Sequence, residues 1–479
     1  MNQIPTIILG GGFVGLFTAL HLAQQNDARP IILVEQNDRF TFKPLLYELL
    51  TGEMHMEQIC PLYTDLLKGS KITIVRDTVK TIDLSQKRIV LTLGQAYDYG
   101  NLVIALGSKP TYFNTPGAAE NALPFATAND AMTLKMRLQD CLQTAVVTKD
   151  PEQRSHLLTV AIIGAGPAGV ELACTLADLL PVWYDALGGD YEDIRIVLVN
   201  RSNEILKGDI NSRLRQTAKN FLSDRTVSVE LLLDAAVTAI TPMGVEYKRM
   251  GKADFLPAMT VVWTGGTEPH PLLKTLPVTP ENRNKRGQLQ VLPTLQLRDF
   301  SEVFVGGDCS YVSAEPQPAT AQVAYQQGKA IAYNLKALAE GRSLMSAQVN
   351  LRGTLMKLGI GEGVANIFDR VEIKGELGHL IRQGTYLELL PIPIYNFKTT
   401  AEWFTDGVLQ RHQTPSLHPT KTGRTPLLAG LTATLASFLI ATPLIWRAAQ
   451  PEHFQKNMES TGLPTLMDQL VPETVNQQK

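Results

Sequence analysis

The chain has 479 residues, of which 44% are hydrophobic and 19% charged, and its formal net charge is −2 at pH 7. This length exceeds one typical domain, so we expect two or three, and the near-neutral charge does not favour nucleic acid as a partner. The cysteines form no C-x-x-C pair, which favours a reducing compartment and predicts neither a metal site nor a disulfide framework. The first apolar run begins close to Met1, so no signal or transit peptide is expected before it. The four cysteines are Cys60, Cys141, Cys174 and Cys309.

A glycine-rich turn near the N-terminus opens the first predicted unit. The apolar run 6–9 predicts a buried strand and residues 16–23 predict a helix. Glycines between them permit a tight turn, close approach of the backbone to a pyrophosphate and close contact of helix and sheet. A second strand, 30–34, ends at Glu35, where a carboxylate can hold a ribose diol. This order favours a dinucleotide site over an ordinary glycine-rich βα turn. The glycines of the G-x-G-x-x-G motif are Gly10, Gly12 and Gly15.

The rest of the first unit is less regular. Pro44 interrupts regular structure before a helical pattern. The runs 71–75 and 88–93 predict two strands, which we interpret as a hairpin inserted in this unit. A buried strand then ends at Gly107 and is expected to return the chain under the bound dinucleotide. Residues 109–130, with three prolines, are interpreted as a linker that crosses to another unit.

The same signature then occurs a second time. Residues 159–163 predict a strand, 170–177 a helix and 194–199 a further strand. An internal repeat of this kind predicts two dinucleotides in one chain. Such chains usually set a flavin against a nicotinamide, because hydride moves between these two rings. The glycines of the second G-x-G-x-x-G motif are Gly164, Gly166 and Gly169.

The second unit ends its strand differently from the first. Asn200 and Arg201 stand where an acid is expected. A carboxylate there would repel a 2′-phosphate, whereas a neutral side chain beside an arginine can accept it, so we predict tolerance of, or preference for, NADPH. In the alternative, Arg201 is solvated and Glu204 contacts the ribose, which would favour NADH.

Three later segments complete the predicted site. A strand at 259–264 ends at Gly265, which corresponds to the way the buried strand of the first unit ends at Gly107. Another strand runs through two glycines to Asp308, whose carboxylate can accept hydrogen bonds from a ribityl-phosphate segment. A helix starting near Thr320 would direct its positive end at the flavin pyrimidine. Three side chains of that helix have i, i+3, i+4 spacing and are predicted to share a face: Gln322, Tyr325 and Gln326.

Together these segments resemble the type II NAD(P)H:quinone oxidoreductases, which are single-chain flavoproteins. The resemblance extends over roughly residues 5–410 and is most specific at 321–326. The resemblance also rests on the first glycine motif and on the segments 44–47, 164–171 and 306–308. The chain is most similar to the cyanobacterial and plastid branch, which includes demethylphylloquinone reductases.

The resemblance implies an α/β fold with two Rossmann-type dinucleotide-binding domains, as in glutathione reductase. It implies an enzyme that passes hydride from NAD(P)H to FAD, and two electrons onward to a membrane quinone of the plastoquinone, menaquinone or phylloquinone type, without pumping protons. The expected domains are an FAD domain at 1–115 and 286–345, an NAD(P)H domain at 116–285, a membrane-docking domain at 346–415 and a tail at 416–479.

The resemblance also implies roles for single residues. Glu171 is expected to contact the nicotinamide or fix the geometry of hydride transfer, and Gln322 to line the quinone site. Gln326 could donate to a quinone carbonyl, while the role of Tyr325 is the least defined. In the alternatives, Glu171 is a first-turn acid favoured by the helix dipole, and the Gln322 face is a solvated flank. FAD is expected on Gly10, Gly12, Gly15, Glu35, Lys43, Gly107 and Asp308, and NAD(P)H on Gly164, Gly166, Gly169, Asn200, Arg201 and Gly265.

Two other functions fit parts of this pattern. A sulfide:quinone reductase needs cysteines beside the flavin, so Cys309 would need Cys141 or Cys174 as its partner; Cys174, on a helix, is more typical of a core residue. The disulfide reductases are not favoured, because they need a redox dithiol beside the flavin and the segment after Glu35 contains only Cys60. The second alternative is a slow-turnover redox sensor that binds flavin and NADPH.

The C-terminal part predicts attachment to a lipid bilayer. The apolar segment 346–415 is expected to dock on it. Residues 426–446 contain no charge and could form a transmembrane, an interfacial or a buried helix. Lys421 and Arg424 favour a catalytic body on the cytoplasmic side. Whether the chain forms a homodimer is left open.

Overall fold

The computed structural model describes residues 4–25, 29–208, 210–351, 353–368 and 370–391. Except for residues 383–385, the described residues belong to one compact unit. The predicted segment 426–446 lies outside the described residues. Within them, no helix combines the length and the apolar character that crossing a bilayer requires.

The N-terminal segment contributes the centre of the largest sheet. All four residues of the strand Thr6–Leu9, and all four of Asn101–Ile104, are buried, because helices and loops cover both faces of the parallel part of this sheet. The elements of the N-terminal segment, in chain order, are β1 (Thr6–Leu9), α1 (Phe13–Gln24), β2 (Ile31–Glu35), α2 (Leu46–Thr51), α3 (Met56–Ile59), α4 (Tyr63–Leu66), β3 (Ile72–Arg76), β4 (Val79–Asp83), β5 (Arg88–Leu91), β6 (Ala96–Asp98), β7 (Asn101–Ile104) and β8 (Ser108–Pro110).

The predicted hairpin of residues 71–75 and 88–93 is wrong. β3 pairs in parallel with β2 as an edge strand of the main sheet, whereas β5 pairs with β4 and β6 in a separate antiparallel sheet. Short runs of alternating residues are compatible with either kind of pairing, so the pattern alone does not choose between them.

The middle segment forms a second parallel sheet with the order β12-β11-β10-β16-β9 and a three-stranded antiparallel sheet, β13-β14-β15. Its elements are α5 (Ala118–Asn121), β9 (Leu123–Pro124), α6 (Ala128–Val147), α7 (Pro151–Leu158), β10 (Thr159–Ile163), α8 (Pro167–Ala186), β11 (Arg195–Val199), α9 (Ser212–Ser223), β12 (Glu230–Leu232), β13 (Ala235–Thr241), β14 (Gly244–Arg249), β15 (Lys252–Pro257), β16 (Thr260–Trp263) and β17 (Thr267–Pro269).

The chain enters and leaves this middle segment at one place. β8 pairs antiparallel with β17, so Ser108 lies opposite Pro269 and Pro110 opposite Thr267. The predicted linker 109–130 is therefore partly regular, because it also contains β9, which joins the second sheet.

The chain then returns to the first sheet, whose order is β21-β18-β19-β20-β7-β1-β2-β3. The helix Ala321–Ala339 packs on α1 so closely that a Cβ on Gly328 would lie 2.8 Å from the carbonyl oxygen of Val14. The remaining elements are β18 (Leu289–Val291), β19 (Gln296–Leu297), β20 (Phe300–Val305), β21 (Ser310–Val312), α10 (Ala321–Ala339), β22 (Gly353–Lys357), β23 (Gly363–Ile367), β24 (Val371–Lys374) and α11 (Gly375–Glu388).

Polar contacts attach the C-terminal sheet β22-β23-β24 to the helices of the second unit. The Arg225 guanidinium pairs with Asp178 at 3.1 Å and with Glu362 at 2.5 Å. Asp178 also accepts a hydrogen bond from the backbone N–H of Ile360, in the turn between β22 and β23. We call Arg225, Asp178 and Glu362 the Arg225 cluster.

Candidate active site

The first glycine motif forms a cradle in which some glycines are required by the protein itself. Gly10 has φ of +94°, and a Cβ there would lie 2.4 Å from the carbonyl oxygen of Ala105. A Cβ on Gly15 would lie 1.8 Å from the carbonyl oxygen of Gly10. By contrast, nothing lies within 4 Å of a Cβ on Gly12, and no side chain caps α1. The open position and the uncapped helix N-terminus fit the pyrophosphate of a dinucleotide.

Glu35 is fixed at the rim of this cradle. Its Oε2 accepts a hydrogen bond from the backbone N–H of Gly11 at 2.7 Å, and its Oε1 accepts one from Asn37 N–H at 2.9 Å. The sequence did not indicate Tyr63, whose hydroxyl donates to the Gly11 carbonyl at 2.7 Å. Because a Cβ on Gly11 would lie 2.3 Å from that hydroxyl oxygen, the middle glycine of the run Gly10-Gly11-Gly12 has a packing reason.

Gly107 and Asp308 come from distant segments and are joined through Ser108. The Ser108 hydroxyl donates to Asp308 Oδ2 at 2.5 Å. A pocket lined by Asp308 also contains Thr320, which caps the N-terminus of α10 by accepting a hydrogen bond from Val323 N–H. The helix therefore begins next to Thr320, as the sequence predicted, and its positive end lines the same pocket as Asp308. Lys43 begins the 3-10 turn Lys43–Leu45, and its side chain is exposed.

The second glycine motif repeats this geometry. Gly164 has φ of +106°, and its Cβ would lie 2.7 Å from the Cα of Gly265. A Cβ on Gly169 would lie 1.9 Å from the carbonyl oxygen of Gly164. Again the middle glycine, Gly166, faces open space, and no side chain caps α8. The cradle thus fits a second pyrophosphate, and Gly265 lies beside it.

Asn200 occupies the rim position that Glu35 occupies in the first cradle. Its Oδ1 accepts from Ala165 N–H at 3.3 Å, and its Nδ2 donates to the carbonyls of Ser202 and Glu204. Arg201 is exposed. The Glu204 carboxylate, the alternative ribose contact, is paired with Arg215 at 2.9 Å.

Glu171 is buried rather than solvated. Its Oε1 accepts a hydrogen bond from the backbone N–H of Lys357 in β22 at 2.7 Å, and the Tyr47 hydroxyl also bonds to it. Burial raises the pKa of Glu171, although the nearby Arg382 charge acts in the opposite direction. The residue therefore links α8 with β22 and α2, which is not the position of a first-turn acid facing water.

A buried ionic cluster lies next to Glu171. Glu48 Oε1 accepts from Arg382 Nη1 at 2.5 Å, and the Lys357 ammonium pairs with Glu53 at 2.6 Å and with Glu48 at 3.4 Å. Burial alone would raise the pKa of Glu48, but Arg382 and Lys357 outweigh it and lower the value to about 2. Burial lowers the pKa of His379 to about 4. We call Glu48, Glu53, Lys357, His379 and Arg382 the Glu48 cluster.

No pattern in the sequence points to this cluster as a unit. Its members are up to 334 positions apart in the chain, so no local motif contains them. The available signal was a lysine inside the apolar run Leu355–Leu358, which is unusual for a buried strand.

The predicted common face of Gln322, Tyr325 and Gln326 is divided between two neighbours. Gln322 donates to the Gly353 carbonyl at 3.4 Å, and Gln326 exchanges two hydrogen bonds with the backbone of Asn350. The Tyr325 ring instead packs edge-on against Phe17 of α1, with centroids 4.7 Å apart. The two glutamines thus face the segment that leads into β22, and Tyr325 faces α1.

The cysteines are free, buried thiols. Cys309 donates to the Gly107 carbonyl at 3.3 Å, and burial raises its pKa to about 12. Cys141 contacts the Thr260 hydroxyl at 3.7 Å. A thiol with such a pKa has little thiolate at neutral pH, which does not favour sulfide chemistry at Cys309.

Comparison with known proteins supports the same family. The family described as pyridine nucleotide-disulphide oxidoreductase matches residues 4–328. Demethylphylloquinone reductase NdbB of Synechocystis is 34% identical over 411 residues, which cover 83% of this chain and 95% of that protein. Alternative NAD(P)H-ubiquinone oxidoreductase C1 of Arabidopsis thaliana is 31% identical over 442 residues, covering 84% and 81%.

A solved structure shows the same fold. NDH2 from Plasmodium falciparum in complex with NADH has a TM-score of 0.75 at 18% identity and covers 85% of this chain and 98% of its own. The resemblance and the α/β fold inferred from the sequence are thus confirmed. The chain belongs to the pyridine nucleotide-disulphide oxidoreductase family and, within it, to the type II NAD(P)H:quinone oxidoreductases.

Proposed function

We propose that this chain oxidises NAD(P)H and reduces a membrane quinone, using FAD and without pumping protons. The observation that carries the proposal is the pair of matching cradles, one built around Gly10–Gly15 and the other around Gly164–Gly169, in a chain of this family. FAD, when bound, supplies the two-electron carrier between a nicotinamide and a quinone. The protein binds and orients both dinucleotides.

The first cradle holds FAD. Gly12 and the N–H groups at the start of α1 receive the pyrophosphate, and Glu35 receives the ribose hydroxyls. Asp308, held by Ser108, accepts hydrogen bonds from the ribityl chain. Gly107 allows close approach of the backbone. Lys43, which begins the 3-10 turn Lys43–Leu45 and is exposed, is assigned a contact with the flavin ring.

The second cradle holds NAD(P)H. Gly166 and the start of α8 receive the pyrophosphate, and Gly265 lies beside the nicotinamide half. Asn200 carries no charge, and the exposed Arg201 can pair with a 2′-phosphate. The pairing of the Glu204 carboxylate with Arg215 offsets the negative charge that would oppose that phosphate. We therefore infer that NADPH is accepted.

Glu171 and the start of α10 act where the two rings meet. The buried Glu171 carboxyl orients the nicotinamide relative to the flavin, because it is itself held by the Lys357 N–H and the Tyr47 hydroxyl. Gln322 lines the quinone site, and Gln326 supports it through the backbone of Asn350. Tyr325 holds α10 against α1.

Steady-state oxidation of NADH and NADPH by purified holoprotein, with several soluble benzoquinones and naphthoquinones, tests the proposal. We expect a yellow protein with a flavin spectrum and rapid turnover. A colourless protein that cannot be reconstituted with FAD would contradict it. Sulfide as sole reductant should not support quinone reduction, and very slow turnover would instead favour a redox sensor.

The quinone site has its own test. Gln322→Leu should slow quinone reduction while flavin reduction by NADPH, measured in stopped flow without quinone, stays unchanged. Gln216→Leu, at an exposed position of α9, is the matched control and should change neither rate. Loss of both half-reactions in Gln322→Leu would contradict its assignment to the quinone site.

The catalytic body is proposed to dock on the cytoplasmic side of a lipid bilayer through the turn β23–β24 and the start of α11. Phe368, Val371 and Leu377 are 54%, 55% and 47% exposed, next to the exposed Arg370. Lys374 is exposed as well and pairs with the Glu372 carboxylate at 2.9 Å. Apolar side chains beside basic ones are typical of interfacial contacts with anionic lipid.

Flotation with anionic liposomes tests the docking surface. Phe368→Asp should lower the lipid-bound fraction, whereas Met250→Asp, at an 85% exposed methionine between β14 and β15, should not. Equal loss in both variants would contradict the proposed surface.

A further inference from the structure

We propose that Arg382 is a positioning residue for the turn that carries Lys43, an inference that rests on the proposed flavin contact of Lys43. The Arg382 side chain is fully buried and reaches from α11 to two partners near the start of α2. Nη2 donates to the Pro44 carbonyl at 2.5 Å, and Nη1 donates to Glu48 Oε1 at 2.5 Å. One guanidinium thus joins the 3-10 turn Lys43–Leu45 to the helix that follows it.

The turn is held on its other side by backbone bonds. Phe42 N–H donates to the Ile59 carbonyl at 3.0 Å, and Leu45 N–H donates to the Phe42 carbonyl at 3.0 Å. These bonds fix the residue before Lys43, and the Arg382 bond fixes the residue after it. The direction in which the Lys43 side chain leaves the backbone is therefore set from both sides. Because Lys43 itself is exposed, packing around its side chain does not supply this constraint.

Stability alone does not account for this arrangement. Burying charged groups costs free energy that their mutual attraction often fails to exceed, so apolar replacements of comparable size are frequently as stable. Arg382 Nε and Glu48 Oε2 are buried without a hydrogen-bond partner among the described residues. What an apolar replacement could not supply is the pair of donors directed at Pro44 and Glu48. A planar guanidinium presents them in a fixed geometry, whereas a lysine ammonium is a single point.

A double-mutant cycle on the holoenzyme tests the inference. Arg382→Lys keeps a positive charge beside Glu48 but cannot replace both bonds at once. We expect it to slow flavin reduction by NADPH, measured in stopped flow, by about 10-fold or more, because displacement by about 1 Å at a reacting centre can cost two orders of magnitude. Lys43→Met should slow the same step. In the double variant the rate should equal that of Lys43→Met alone, because Arg382 acts through Lys43.

Arg225→Lys is the matched control. Like Arg382, Arg225 is a largely buried arginine whose guanidinium has two partners, although both of them are carboxylates. It belongs to the Arg225 cluster, which contacts the turn β22–β23 and not Lys43–Leu45. It should lower Tm about as much as Arg382→Lys and leave the rate of flavin reduction unchanged.

Two results would overturn the inference: an unchanged rate in Arg382→Lys, or losses that multiply in the double variant. Both are read against an active wild type, so they differ from failure of the proposed function, in which the wild type itself would not turn over.

Discussion

The two dinucleotide cradles share a backbone and differ in their side chains. In each, a glycine with positive φ begins the turn, the middle glycine faces open space, and the last glycine touches the carbonyl of the first. The correspondence pairs Gly10 with Gly164 and Gly15 with Gly169. The shared part is what any pyrophosphate needs, so it carries no information about which dinucleotide is bound.

The side-chain differences between the two cradles lie at two pairs of corresponding positions. Glu35, a carboxylate, corresponds to Asn200, a neutral amide, although each accepts a hydrogen bond from the turn. Phe17 corresponds to Glu171, five residues after the middle glycine in both units. Phe17 packs against Tyr325, whereas Glu171 accepts from Lys357 N–H. One helical position thus serves aromatic packing in the first unit and holds a buried, hydrogen-bonded carboxyl group in the second.

The largest effects are expected from the glycines that touch backbone. Gly15→Ala should lose most of its FAD and destabilise the protein by about 1–3 kcal/mol, because its Cβ overlaps the Gly10 carbonyl. Gly169→Ala should keep FAD but be reduced poorly by NADPH. The flavin-to-protein ratio and the KM for NADPH measure the two effects.

Gly12→Ala is the control for folding. Since nothing lies near its Cβ, the apoprotein should unfold at the wild-type Tm and still bind FAD weakly. If Gly15→Ala and Gly169→Ala instead impaired the same cofactor, the assignment of one dinucleotide to each cradle would fail.

The next effect concerns the corresponding residues Phe17 and Glu171. Glu171→Gln should slow flavin reduction by about 10- to 100-fold and remove a step in its pH dependence at a pKa above the ordinary glutamate value. Because burial raises this pKa, the native state binds the proton more tightly than the unfolded chain does. The contribution of Glu171 to the free energy of unfolding is therefore present at low pH and is lost as the pH rises through the raised pKa. Glu171→Gln should accordingly not lower Tm at pH 8.

Phe17→Leu gives the opposite pattern. It should lower the free energy of unfolding by about 1 kcal/mol and leave the rate of flavin reduction unchanged. A stopped-flow pH series and thermal unfolding of both variants separate the two roles. An unchanged pH profile in Glu171→Gln would argue against a role for its proton.

A moderate effect is expected from the residues at the rims of the two cradles, Asn200 and Glu35. Asn200→Glu should lower the ratio of kcat/KM for NADPH to that for NADH by about 10-fold, equivalent to about 1.4 kcal/mol, because the new carboxylate repels the 2′-phosphate. Glu35→Gln, in the first cradle, should weaken FAD binding and leave that ratio unchanged. If the ratio stayed constant in Asn200→Glu, the nucleotide preference would have to be set elsewhere.

The smallest effects are expected from two helix caps. Thr320 accepts from Val323 N–H in the first unit, and Asn211 accepts from Leu214 N–H in the second. Replacing either by Ala should cost about 1 kcal/mol and lower Tm by a few degrees. Only Thr320→Ala should also reduce FAD retention, because only the start of α10 lines the pocket with Asp308. Equal FAD retention in the two variants would show that the dipole of α10 contributes little.

The sequence predicted what depends on local spacing. The glycines, the strand endings at Glu35 and Asn200 and the start of α10 all follow from short patterns with a physical reason. Arg382, Glu48 and Lys357 were missed because their partners lie hundreds of residues away, and a charge in an amphipathic segment usually faces water. Strand pairing was also missed at β3, since an alternating run does not specify its neighbour.

The ribbon formed by β8 and β17 has an evolutionary and a practical consequence. Because the chain leaves the unit built around the first glycine motif and re-enters it at adjacent strands, the segment between Pro110 and Thr267 can be exchanged as one piece without altering the strand pairing of the main sheet. On the proposed assignment of NAD(P)H to this segment, recombination between relatives at these two sites would transfer a preference for one electron donor into a scaffold adapted to another acceptor.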